Sequence, residues 1–352
     1  MTDNKEISYI FSLFSDKKLI GHKNIDSSRG ENDFREIIIG ELETGEKLVV
    51  KLSDNDFTFP DKIKMWQRTA EEYLKLGYYC PRILADKQGG FPVVRYKNRN
   101  CVVYAEEYAK YRPAEYYPPA EYYPPEDNEL SSDDKKTIPY EKYADDAWIM
   151  TAQIAGKYFS YTDYPSGYCL FECFCSSDKT DEVLEEAIKW KEYADTLPEG
   201  FRTQTERIWK LWTDNRNALE PVYKKLPTSV FQADLNPTNI LTDESGSFAG
   251  VFDFNLCGKD VFLNYLFREI CEDTFEKELQ RLCRMIKLVS GYYHFSEPEK
   301  QSALMLYRCL KPLMFKTDEL KALKDDEAAL KKFLDETEEY LTKDIDFIGY
   351  ME

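Results

Sequence analysis

Between residues 230 and 258, a half-chain otherwise patterned for helices carries two strand-like runs around a polar loop, "VFQADLNPTNILTD" and "FAGVFDFNLCG". That interruption limits the folds open to the chain. A simple turn would be served by Asn236-Pro237 alone. It has no use for an aspartate, Asp234, five residues before an asparagine, Asn239. Asp253 follows fourteen residues later, at the end of the second run. A hairpin with Gly246 in its turn would bring Asn239 and Asp253 together. An amide oxygen beside a carboxylate is hard-oxygen chemistry suited to Mg²⁺. Asp234, offset by one loop, could accept a proton from a hydroxyl. With a lysine elsewhere to hold phosphates, this set serves phosphoryl transfer. "LVVKL" supplies that candidate, Lys51, at the end of an upstream strand.

The first hundred residues predict an antiparallel sheet with one inserted helix. "FREIIIGEL" and "KLVVKLS" are β-rich runs joined by "ETGE", a hairpin signal with Gly45 in the turn. "DKIKMWQRTAEEYLKLG" spaces Met65, Thr69, Tyr73 and Leu76 as a helix does, with Gly77 as its stop. "CPRILA", "FPVVRY" and "CVVYAEEYA" read as further strands. Then "RPAEYYPPAEYYPPED" repeats AEYYPP in tandem. Its prolines exclude helix and central strand and predict a polyproline-like surface insert. From residue 140, three long segments carry apolar residues at three-to-four spacing, and helices resume after about residue 261. "LKDDEAALKKFLDETEEYLTK" reads as a solvated helix face. The divisions expected are 1–108, an insert at 109–139, and 140–352.

Length and composition exclude several classes. A chain of 352 residues, 43% hydrophobic and 15% aromatic, can fill two lobes. A net charge of −18 argues against nucleic acid, which needs a basic footprint. It suits cationic small molecules, although solubility explains it equally. No apolar run approaches 18 residues, and the first residues lack a signal-peptide pattern. Nine scattered cysteines point to a reducing cytoplasm, with Cys169, Cys173 and Cys175 as buried apolar thiols. Two histidines outside any motif, His22 and His294, give triad chemistry no support.

"FQADLNPTNIL…FAGVFDFNLCG" resembles the catalytic core of the aminoglycoside phosphotransferase and choline kinase-like superfamily, small-molecule kinases of protein-kinase-like fold. The family pattern is His-x-Asp-x-x-x-x-Asn followed by a strand ending in Asp-Phe or Asp-Trp. The resemblance covers about 25–110 and 225–270. It implies an α+β, bilobal fold: an N-terminal antiparallel sheet lobe with one main helix, and a larger helical lobe carrying the catalytic hairpin. It implies Asp234 as catalytic base, Asn239 as a magnesium ligand and Asp253 as the main magnesium ligand. "SSRGENDFREIIIGELETGEKLVVKL" is similar to the family's nucleotide loop and lysine strand. That places Ser28, Arg29 and Gly30 near the phosphates and Lys51 on the α- and β-phosphates. "VVYAEEYAKY" resembles the linker between lobes, whose backbone at Glu106 and Tyr108 would meet the adenine. Gln232 replaces the family histidine, a residue that braces the loop, and an amide can do so. The helix glutamate that pairs with the lysine has no clear counterpart: Thr69 or Gln67 falls near that place, and Glu71 and Glu72 a turn later.

The resemblance implies a kinase using ATP, with GTP left open, and Mg²⁺, acting on a small hydroxylated acceptor. An amine-bearing acceptor would suit the acidic helical lobe, where Asp260, Glu272 and Asp273 follow the metal motif, though solvation explains those carboxylates as well. The competing expectation is a nucleotide-binding module without turnover that docks partners through the Tyr-Pro insert.

Overall fold

Alternation of burial along Phe34–Leu42 builds the first layer of the molecule. The structure, a computed structural model, describes residues 2–116, 136–171, 181–272 and 274–352. In the N-terminal lobe, β1 (Leu19–Asp26), β2 (Phe34–Leu42), β3 (Lys47–Asp54), β4 (Ile83–Leu84), β5 (Val93–Tyr96) and β6 (Arg99–Glu107) form one antiparallel sheet. Its order is β1-β2-β3-β6-β4, with β5 also on β6. Phe34, Ile38 and Leu42 of β2 and Val50 and Leu52 of β3 bury one face. The opposite face turns Ile37, Ile39, Val49 and Lys51 toward the second lobe.

A helix absent from the sequence expectations, α1 (Thr2–Phe14), covers the outer face with Ile7, Ile10 and Phe11. The three share one helical stripe by their i, i+3, i+4 spacing. Gly40 makes this possible: a Cβ there would lie 2.2 Å from the Phe11 ring. The expected helix is α2 (Pro60–Lys75), whose Ile63, Met65, Trp66, Ala70 and Tyr73 pack into the larger core.

The segment read as insert is partly built into the second lobe. β7 (Arg112–Pro113) pairs with β11 (Ile240–Thr242), which pairs in turn with β12 (Phe248–Val251). The first AEYYPP unit begins on fully buried Ala114, whose N–H donates to Ile240 O at 2.7 Å. It continues as β8 (Glu115–Tyr116), paired with β9 (Lys136–Thr137). The root of the repeat is therefore strand and core rather than polyproline surface; the rest lies outside the described residues. Cys169 is a buried thiol, while Cys173, Cys175 and Asp273 also lie outside them.

The helical lobe comprises α3 (Ala144–Ala155), α4 (Glu182–Ala194), α5 (Glu199–Tyr223), α6 (Phe262–Glu269), α7 (Phe275–Val289), α8 (Glu297–Leu310), α9 (Thr317–Ala322) and α10 (Glu327–Thr342). The short β10 (Ser229–Phe231) and β13 (Gly258–Asp260) pair within it. α10 is more than a solvated face, because Leu330, Phe333, Leu334, Tyr340 and Leu341 are buried. No helix among the described residues is long and apolar enough to cross a membrane.

The lobes meet at a backbone seam. Tyr79, just past α2, bridges Gly250, and its carbonyl accepts from Val251 N–H at 3.0 Å. A Cβ on Gly250 would stand 1.9 Å from that carbonyl oxygen. Gly250→Ala should therefore force the seam apart, at about 1–3 kcal/mol by analogy with overpacked cores. Thermal unfolding checks this; an unchanged melting temperature would show that the seam yields freely.

Candidate active site

Lys51 reaches the cleft because β3 alternates. Val49 and Lys51 face the second lobe while Val50 and Leu52 fill the outer core. Its Nζ lies 3.1 Å from Asp253 Oδ1 and 3.1 Å from Glu106 Oε1. A cavity of about 240 Å³ opens beside them, lined by Arg29, Arg35, Lys51 and Asp253 among others. Three cationic side chains gathered at one cavity stand out in a chain of net charge −18. Arg35 is fixed by Asp33 at 2.7 Å and lies 4.6 Å over the Phe57 ring.

Ser28 and Gly30 belong to the loop between β1 and β2, next to Arg29. The Ser28 hydroxyl accepts from Arg35 N–H at 3.0 Å, and Arg29 N–H donates to Asp33 O at 3.0 Å. Both contacts tie the loop to the start of β2.

Asp253 sits where β12 ends, with φ 59° and ψ 72°. This left-handed conformation is costly for an aspartate and persists only where the surroundings hold it. Gln232 is part of the hold. Its Nε2 donates to Phe252 O at 3.2 Å and also to Asp253 O. Its Oε1 accepts from Asp234 N–H at 3.2 Å. One buried amide thus braces both the end of β12 and the loop that carries Asp234, a bracing of the kind the family resemblance implied. Gln232 N–H donates in turn to Tyr73 OH of α2 at 2.9 Å, and Phe254 meets the Tyr73 ring edge-on at 5.4 Å.

Asn239 and Asp234 are joined directly. Asn239 Nδ2 donates to Asp234 Oδ2 at 3.0 Å and to its carbonyl at 2.9 Å, while Asn236 Nδ2 donates to Oδ1 at 2.9 Å. The hairpin sets Asn239 opposite Phe252, whose N–H donates to Asn239 O at 3.1 Å. Asp234 is half-buried. Burial raises its pKa above the usual 3.8, and the charge of Asp253 raises it further. Hydrogen bonds from Asn236 and Tyr168 and the charge of Arg268 oppose this. Tyr168 was not anticipated. Arg268 stacks 3.3 Å above its ring, donates to Ala233 O at 3.2 Å and pairs with Glu269. Tyr168 is remote in sequence from the motif, so no local spacing could flag it.

Glu106 departs from expectation. Its backbone is in register with Val49 on one side and Ile83 on the other, so the sheet occupies it. Its carboxylate turns to Lys51, with Oε1 3.1 Å from Nζ. Tyr108 and Ala109 pack with Val49, Leu241, Phe252, Ile37 and Ile39 in a small apolar cluster that joins the lobes. The helix candidates for pairing Lys51 are otherwise engaged. Gln67 donates to Ile83 O at 2.8 Å, Thr69 donates to Met65 O and meets Tyr161 OH, and Glu72 pairs with Lys75. Of the carboxylates after Asp253, Asp260 is buried among Ser166, Tyr223 and Asn264, and Glu272 pairs with Arg281.

No family model matches the chain, and no curated protein matches it in sequence. Solved structures do. An aminoglycoside phosphotransferase from Alicyclobacillus acidocaldarius aligns over 95% of both chains, with a TM-score of 0.53 and 11% identity. An amicoumacin kinase, in complex with AMP-PNP and Ca²⁺, aligns over 99% of this chain and 97% of its own, with a TM-score of 0.53 and 14% identity. A microcompartment-associated aminopropanol kinase aligns over 96% and 95%, with a TM-score of 0.51 and 12% identity. The chain has the fold of the aminoglycoside phosphotransferases. Within that fold, the α+β bilobal architecture expected from the sequence stands, with α1 added.

The brace on the phosphotransferase-like loop is testable by itself. Gln232→Leu removes the donor from two carbonyls and the acceptor from Asp234 N–H. Each buried group left unpaired costs about 1–3 kcal/mol. The variant should melt well below the parent, and Gln232→His, which keeps a donor and an acceptor, should recover part of the loss. Equal melting temperatures for Gln232→Leu and the parent would remove the brace from the account.

Proposed function

We propose that the protein transfers the γ-phosphate of ATP to a hydroxyl of a small molecule. The observation that carries this reading is the convergence of Lys51, Asp253, Asn239 and Asp234 from two lobes beside a cavity with Arg29 and Arg35 on its wall. In this reading residues 1–108 bind nucleotide, 140–352 carry the catalytic loop and the acceptor site, and 109–139 connect them. The adenine end of the nucleotide lies near the apolar cluster of Val49, Leu241 and Phe252 that joins the lobes. Lys51, Arg29 and the neighbouring Ser28–Gly30 loop meet the phosphates.

Asn239 and Asp253 offer an amide oxygen and a carboxylate, a donor set that fits Mg²⁺. When bound, the ion neutralises charge on the phosphates. Asp234 orients the acceptor hydroxyl and takes its proton as the oxygen–phosphorus bond forms and the bond to the ADP oxygen breaks. Hydrogen bonds from Asn236 and Asn239 fix both Asp234 oxygens, so the base is oriented before the acceptor arrives. Two similar structures bear the names of kinases, one of them for aminopropanol, an amino alcohol, and a third bears that of an aminoglycoside phosphotransferase. That supports an acceptor carrying both a hydroxyl and an amine. A screen of hydroxylated amines for acceptor-dependent ADP release tests the proposal. Release that no acceptor stimulates would favour a nucleotide-binding module without turnover.

The base assignment has a pH signature. With its pKa raised, Asp234 gains a proton as pH falls through a value above the usual 3.8. The acid limb of kcat/KM should therefore lie above the ordinary aspartate range. Asp234→Asn should lower turnover by about 10²–10⁴, as loss of a positioned base does, and should erase that limb. Nucleotide affinity should stay near the parent value, whereas Asp253→Asn should weaken metal-dependent binding as well. The reverse pattern would exchange the two roles.

A further inference from the structure

We propose that Glu106 positions Lys51 for phosphate binding, a task that no side chain of α2 takes in this chain. The proposal rests on the reading of the cleft as a nucleotide site. Register puts Lys51 opposite Tyr104 and Val49 opposite Glu106. Glu106 is therefore the diagonal neighbour of Lys51 on the cleft face of the sheet. Both side chains are buried, with Lys51 6% and Glu106 3% exposed, and Nζ to Oε1 is 3.1 Å. A carboxylate buried so deeply is costly unless a cation compensates it. Its second oxygen, Oε2, has no hydrogen-bond partner among the described residues, so the lysine is the group that justifies it.

Helix α2 turns a different surface to the lysine. Trp66 packs edge-on against Tyr104, with ring centroids 5.9 Å apart, and both line the cavity. Gln67, Thr69 and Glu72 make the contacts described above, and Glu71 is exposed.

Lys51 is shared between two carboxylates at equal distance. This has a consequence for the metal. A cation arriving at Asp253 must displace the ammonium from it. Glu106 makes that displacement easier, because it retains Lys51 when Asp253 turns to the metal. Its backbone is held on both sides, since β6 lies between β3 and β4. Without the Glu106 charge, Lys51 would settle on Asp253 and compete with Mg²⁺. Glu106 thus acts through Lys51 and touches neither nucleotide nor metal.

The test is calorimetry of AMP-PNP binding to full-length Glu106→Gln across a Mg²⁺ series, beside Lys51→Ala and the double variant. Glu106→Gln should lose affinity by about 10-fold or more, the scale of a hydrogen bond to a charged group. Its half-saturating Mg²⁺ concentration should rise, and Glu106→Asp should recover part of both. A merely structural role would move neither the Mg²⁺ requirement nor the coupling, and melting curves of each variant control for folding. The double variant should bind like Lys51→Ala alone, because the two residues act in series. Additive losses, or a Glu106→Gln variant with parental affinity beside a weakened Lys51→Ala, would overturn this inference and leave the kinase reading intact. Parental affinity in Lys51→Ala would overturn both.

Discussion

Lys51 and Asp253 are 202 residues apart in the chain, and their side chains meet at 3.1 Å. The rest of the molecule is arranged so that this contact occurs. A sheet must present the lysine on its inner face, which requires an outer face packed elsewhere, and α1 together with Ile38, Val50 and Leu52 supplies that packing. A hairpin must end in a residue with left-handed backbone, which requires a brace, and Gln232 supplies it. The pair itself is partly open to the cavity, with the Asp253 side chain 29% exposed. Its opposite charges mark where an anionic ligand and a cation could enter together and separate them.

The second lobe turns this contact into a site by shortening the distance between roles. Asp234, Asn239 and Asp253 come from one loop and one hairpin, and hydrogen bonds link them through Asn239 and Gln232. Tyr73 extends the network to α2, and Tyr79 extends it as backbone seam to β12. A movement of the N-terminal lobe would therefore be felt at the loop that carries Asp234 through two connections. Burial and the charge of Asp253 raise the Asp234 pKa, which accords with the base role proposed for it.

The strongest parts of the fold were legible because local rules agreed with tertiary demands. FREIIIGEL and KLVVKLS alternate as half-buried strands do, and the α2 stripe repeats at helical spacing. That Asp234, Asn239 and Asp253 come together was readable from their order and the hairpin signal, while the roles proposed for them rest on the family resemblance. Three things were not. α1 has only a three-residue buried stripe, and its partner Gly40 gives no local sign of a helix above it. Ala114 looks like the start of a proline-rich surface repeat, but its burial depends on Ile240, far along the chain. Glu106 resembles any strand glutamate, and only the β3–β6 register sets its carboxylate on Lys51. The helix was the wrong place to look for that partner because Trp66, not an acid, faces the cavity.

The central claim is that the cleft between Lys51 and Asp253 accepts a nucleotide and a divalent cation together. Calorimetric titration of the unmodified protein with AMP-PNP, run with Mg²⁺ and again with a chelator, tests it most directly. The account predicts saturable binding of one nucleotide per chain that weakens markedly without the metal. Absence of binding, or binding of equal strength in the chelator, would contradict it.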